Sequence, residues 1–131
     1  MLQFLRSGLL VLATMAVASA ASAANRFTIT YPDGMSNMPL TGRLLLIVAP
    51  AGEQEPRLMV NWDQDAVPFF GMDVSNWRAG EKKVVDGKAF GFPIRSINDL
   101  PPGDYRVQAV LNRYETFVRG DGHRLELPPD Q

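Results

Sequence analysis

Between Gly42 and Pro50 the chain reads GRLLLIVAP, with six apolar residues in succession from Leu44 to Ala49. A strand with one wet face alternates apolar and polar residues, and this run does not. It is also short for a helix and β-branched towards its end. Both properties predict a strand buried on both sides, at the centre of a sheet or at a sheet–sheet contact. The remainder of the chain must be arranged around it.

A second signal lies at LPPGDYRVQAVLN, Leu100 to Asn112. Pro101, Pro102 and Gly103 cannot sit inside a paired strand, because proline lacks the N–H and glycine suits a turn. After them Tyr105, Val107, Ala109 and Leu111 fall on one face, and Arg106, Gln108 and Asn112 on the other. Only Val110 departs from the pattern. One face is therefore expected in a core and the other towards solvent. Tyr105 follows the Gly103 turn at the place where a sandwich tyrosine bonds back to its corner backbone.

Ten prolines and eleven glycines divide the rest into short apolar runs, as in an all-β chain. RFTITY (26–31) predicts a first strand, and Pro32–Gly34 a turn. RLMVNW (57–62) predicts another strand, with Leu58, Val60 and Trp62 opposite Met59 and Asn61. Pro68 and Gly71 predict an edge position for a short strand around Phe69 to Val74. Asp86-Gly87 is a tight-turn pair, and Phe90, Phe92 and Ile94 recur at period two. RYETFV continues the Tyr105 strand past a bulge, and HRLELP (123–128) supplies a last one. Seven to eight strands predict an immunoglobulin-like or transthyretin-like β-sandwich, whose strand order is not readable from the sequence.

Met1 to Ala24 has the form of a secretory leader: Arg6, an apolar core over Gly8–Ala18, and small residues offering Ala-x-Ala cleavage. The core is short against the ~20 residues that span a bilayer. The expectation is cleavage, export to the periplasm or medium, and a single domain over 25–131. Without Arg6 that domain carries 12 Lys+Arg against 14 Asp+Glu. It lacks the basic balance on which nucleic-acid binders depend, so no nucleic-acid partner is expected. Cysteine is absent, which removes disulfides, thiol chemistry and cysteine-based metal sites.

Candidates for chemistry are few. His123 is the single histidine; Ser36, Ser75 and Ser96 lie outside any G-x-S-x-G elbow. No catalytic residue, cofactor or metal site is expected. Asp63, Asp65 and Asp73 offer oxygen ligands, but the rest of a calcium loop is missing, and solvated carboxylates are the simpler expectation. Trp62, Phe69, Phe70 and Trp77 surround these carboxylates. Exposed aromatics beside carboxylates suit a sugar ring or a partner protein. Trp62, Asp63, Asp65, Phe69, Phe70, Asp73 and Trp77 are thus the candidate interaction surface.

Four blocks, LTGRLLLIVAP, EPRL, FFGMDVSNWRAGEKKVVD and FGFPIRSINDLPPGDYRVQAVLNRYETFVRGDGH, together resemble the N-terminal β-rich module of secreted bacterial proteins classed as esterases. There the module precedes an α/β-hydrolase domain. The resemblance implies a β-rich accessory module. It carries no catalytic residue onto this chain, which stops at LELPPDQ where that family continues towards its hydrolase. The expected function is an exported, non-catalytic interaction module. The alternatives are a carbohydrate-binding domain, or a piece of an esterase whose catalytic domain is encoded downstream.

Overall fold

The structure, a computed structural model, describes residues 24–63 and 65–129. The expected leader, Met1 to Ala24, lies outside the described residues except for its last one. The described chain is all-β, with eight strands: β1 (Phe27–Ile29), β2 (Leu40–Pro50), β3 (Phe69–Trp77), β4 (Lys83–Val85), β5 (Phe90–Phe92), β6 (Tyr105–Arg113), β7 (Glu115–Val118) and β8 (Arg124–Leu127). They form an antiparallel four-stranded sheet in the order β5-β3-β2-β6, a β1-β4 pair, and a β7-β8 hairpin. Among the described residues, no helix is long and apolar enough to cross a membrane.

The apolar run of β2 is buried on both sides, as its composition requires. Leu44, Leu46 and Val48 point into one core with Phe70, Val74, Trp77, Val85 and Ile97. The β1-β4 layer covers this face through Phe27, Ile29 and Val85. Ile47 and Ala49 point the other way, into a second cluster with Val67 and Phe69. The cover there is the connection between β2 and β3. The four-stranded sheet is thus the middle layer, with strands on one side and a largely irregular segment on the other.

That segment corrects one expectation. RLMVNW is not a strand; Pro56–Met59 form a single 3-10 turn with proline at its start. Both edges of β2 are already paired, with β3 and β6. The segment instead folds over the sheet face, burying Met59 and Val60 against the second cluster. Side chains of β6 hold it there. The Arg57 N–H donates to Gln108 Oε1 at 2.9 Å, and Gln108 Nε2 donates to Glu55 at 2.8 Å. Arg106 reaches the Glu53 carbonyl at 2.8 Å. Gln108 and Arg106, expected to face solvent, are the anchors of this cover.

β3 is not an edge strand either. It lies between β2 and β5 and runs on to Trp77. Pro68 stands just before it and accepts from the Val48 N–H at 2.8 Å. Gly71 leaves room for Leu45 and Arg43, whose side chains would lie 3.1 and 3.2 Å from a Cβ there. β5 ends at Phe92, before Pro93, so Ile94 does not continue it. Asp86–Ala89 is the expected turn, closed by Ala89 N–H to the Asp86 carbonyl at 3.0 Å. It links the two layers and does not make a hairpin, because β4 pairs with β1 and β5 with β3.

In β6, Tyr105 and Leu111 pack against the first core, while Val107 and Ala109 on the same face remain exposed. The Tyr105 hydroxyl donates to the Pro101 carbonyl, the corner bond predicted from its position. β7 leaves the sheet after Tyr114 and, among the described residues, pairs only with β8, so it does not extend β6.

Candidate functional site: an aromatic platform

Trp62 stands 78% exposed at the end of the segment that covers the sheet. Its indole meets Phe69 edge-on at 5.6 Å and tilts over Phe92 at 5.8 Å. Phe69 and Phe92 touch each other at 5.8 Å. Aromatic pairs at these separations and tilts attract through their quadrupoles as well as their area. Trp62 is thereby braced by two rings while most of its surface is open. Phe90, on the same face of β5 as Phe92, adds a second exposed ring at 62%.

The loop is fixed at both ends. Met59 and Val60 enter the second core before it, and Ala66 and Val67 are buried after it. Within it the Asp63 N–H donates to Asn61 Oδ1 at 2.9 Å, and the Ala66 N–H to the Asp63 carbonyl at 3.1 Å. Asp63 and Asp65 are both exposed. The Glu55 carboxyl, in the same cover segment, is held below the usual glutamate range by its bond from Gln108 and next by Arg57.

Of the candidate surface, Trp62, Asp63 and Asp65 are exposed, and Phe69 is the buried base that Trp62 meets. Phe70 and Trp77 do not belong to it. Adjacent residues on a strand face opposite ways, so Phe70 enters the first core and is fully buried. Trp77 is odd-numbered like Phe69, yet it too enters the first core, 3% exposed. The reason is a bulge. Gly42 pairs with Val74 but Leu40 pairs with Trp77, so three steps on β3 match two on β2. The extra residue reverses the facing, and Asn76 takes up the irregularity at φ 49°.

Asp73 belongs to a separate cluster. Arg43 Nη1 lies 3.0 Å from its carboxylate, and the Tyr114 hydroxyl donates to it at 2.9 Å. The Arg43 bond, supplemented by that of Tyr114, holds the Asp73 carboxyl below the usual aspartate range. Desolvation, and then Asp73, push the Tyr114 hydroxyl up. Among the described residues, no group of three His, Cys, Asp or Glu side chains gathers as metal ligands would. His123 sits at the tip of the β7-β8 hairpin, 77% exposed, with Nδ1 3.2 Å from Asp121.

Phe90 and Phe92 were missed as members of the platform. Their period-two spacing marked a strand, but only the β3-β5 pairing, Phe69 opposite Phe92, brings Phe92 under Trp62 and sets Phe90 opposite Gly71 on the same face.

The fold and site together define an all-β sandwich that presents a braced aromatic platform. No family model matches the chain, and the comparisons with curated proteins and with solved structures likewise find no match.

Proposed function

We propose that this chain is an exported, non-catalytic β-sandwich module that binds a partner through the Trp62 platform. The observation that carries the reading is an indole 78% exposed yet braced by Phe69 and Phe92. A rigid aromatic with a free face gives contact area at little cost in side-chain entropy, which is why tryptophan dominates binding hot spots. A photo-crosslinking residue in place of Trp62, in an exporting host, should give a discrete adduct. The same residue at exposed Met38 should not. Equal labelling at both positions would remove the proposal.

The flanking carboxylates favour carbohydrate as the partner's chemistry. A sugar ring can lay its C–H face on the indole while Asp63 and Asp65 accept from its hydroxyls. Soluble glycans should then quench Trp62 emission, and silence across a broad glycan panel would exclude this second reading. The resemblance to esterase modules belongs to the same proposal, with the platform serving a hydrolase supplied elsewhere. The adjoining DNA tests it through an in-frame continuation containing G-x-S-x-G. Turnover of short-chain aryl esters by the chain alone, abolished by Ser75→Ala or His123→Ala, would contradict the non-catalytic assignment.

A further inference from the structure

The two edges of the four-stranded sheet are unequal. β5 is three residues long and is followed at once by Pro93. β6 is nine residues long, and its register with β2 runs from Gly42↔Arg113 to Pro50↔Tyr105 without a shift. It carries no proline, lysine or bulge, three of the means by which an edge strand is guarded against pairing, and its charges are confined to Arg106 and Arg113 near its two ends.

The direction of its free groups follows from its hydrogen bonds. The Asp104 carbonyl accepts from Ala51, and the Tyr114 N–H donates to Thr41, both on the β2 side. In an antiparallel strand the bonding direction alternates. The backbone N–H and C=O of Tyr105, Val107, Ala109, Leu111 and Arg113 therefore point away from β2. Among the described residues no strand pairs with them.

The seam between the two layers is open on this side as well. A groove of about 150 Å³ runs between the β1 side and β6, lined by Ile29, Tyr31, Met35, Ala109 and Leu111 among others. Val107, 39% exposed, lies on the same face of the strand.

We infer that β6 is a self-association edge, and that two copies join by antiparallel pairing of β6 with β6 about a two-fold axis at Ala109. This is the register that pairs all nine residues. It puts Val107 opposite Leu111 of the partner subunit, so that two apolar side chains meet over the seam. Arg106 falls opposite Asn112 of the partner subunit, and Arg113 opposite the partner's Tyr105, where a guanidinium can lie on a ring. No two like charges face each other, although the strand carries two arginines. The small Ala109 sits on the axis, where two identical side chains must fit. A long, regular edge with outward-pointing amides and a register that keeps its two arginines apart is how sheets extend across a dimer.

The paired sheet has the order β5-β3-β2-β6-β6-β2-β3-β5. The axis is perpendicular to it, so both Trp62 platforms face the same way. At ~4.8 Å per strand, the β3 strands beneath them are roughly 24 Å apart. Two platforms at a fixed spacing would grip a repetitive ligand with avidity. This consequence rests on the Trp62 reading; the dimer does not.

Sedimentation of the purified protein over a concentration series tests the inference. The apparent mass should rise from one chain to two. Ala109→Lys, which sets two ammonium groups on the axis but adds only an exposed side chain to the single chain, should hold it at one. Native Trp77 emission would show that the variant is folded. Because the chain has no cysteine, Ala109→Cys supplies the only thiol. It should give a covalent dimer with a short bis-maleimide, while Ser75→Cys should not. One-chain mass at every concentration, or a dimer that Ala109→Lys leaves intact, would overturn the assignment. Trp62→Ala should leave the dimer unchanged, which separates this test from that of the platform.

Discussion

The Tyr31 hydroxyl donates to the carbonyl of Trp77 at 2.8 Å, while the two rings stand edge to face with centroids 4.9 Å apart. Both residues are buried, and the pair ties the segment after β1 to the end of β3. Trp77 is fastened again at its far side, where the indole N–H donates to the Glu81 carbonyl at 2.8 Å. Tyr31→Phe leaves the Trp77 carbonyl without this buried donor and should cost about 1–3 kcal/mol. Trp77→Ala should cost about 3–5 kcal/mol. Urea unfolding midpoints measure both.

The two tryptophans should respond in opposite ways. Trp62→Ala removes ring contacts with Phe69 and Phe92 but almost no buried surface, so its cost should be about 1 kcal/mol. Iodide should quench a red-shifted emission that disappears in Trp62→Phe. The blue-shifted remainder, from Trp77, should resist quenching. Equal accessibility of the two indoles would contradict their placement.

Gly42 is required by close approach. A Cβ there would lie 2.1 Å from the Asn112 carbonyl oxygen and 2.9 Å from the Arg113 Cα, both backbone atoms. No rotamer relieves such a contact, so β2 and β6 would have to separate. Gly42→Ala should destabilise by ~2 kcal/mol or more. Gly34→Ala offers a contrast, because nothing lies within 4 Å of its added Cβ and only the φ of +90° is strained. Thermal melts of the pair separate packing from backbone strain.

The Arg43–Asp73–Tyr114 cluster sets a shallow pH dependence. Asp73 is depressed in the folded chain by Arg43 and Tyr114. Its contribution is therefore present above the unfolded value, ~3.9, and fades as pH falls through the lower folded value. Tyr114 is raised, by desolvation first. Its contribution is present below the unfolded value, ~10, and is lost as pH rises through the folded one. Asp73 is 62% exposed, so screening keeps the carboxylate's effect below ~1 kcal/mol. Asp73→Asn should flatten the acid limb of a stability–pH curve and leave neutral stability nearly unchanged.

How far the sequence could be read depends on what each residue answers to. Six apolar residues in a row could only be a strand covered on both faces, and β2 is one. The proline–glycine turn before Tyr105 fixed both the start of β6 and the corner bond, because both are local. RLMVNW failed for the opposite reason. Its alternation suits a strand, but β2 had no free edge to offer, and the open sheet face took the segment instead. Trp77 was misplaced by one bulge residue, which no periodicity within β3 reveals. The platform was half legible. Trp62, Asp63 and Asp65 share a loop, whereas Phe92 reaches them only through pairing across the sheet.

Amide hydrogen exchange resolved by residue tests most directly the claim that a covered middle sheet leaves one usable edge. At low concentration β2 and β3 amides should exchange slowest. Within β6 the amides of Arg106, Gln108, Val110 and Asn112 should be protected, while those of Val107, Ala109 and Leu111 exchange freely. Raising the concentration should slow this second set alone. Uniform protection along β6 in the dilute protein, or free exchange throughout β2, would contradict the account.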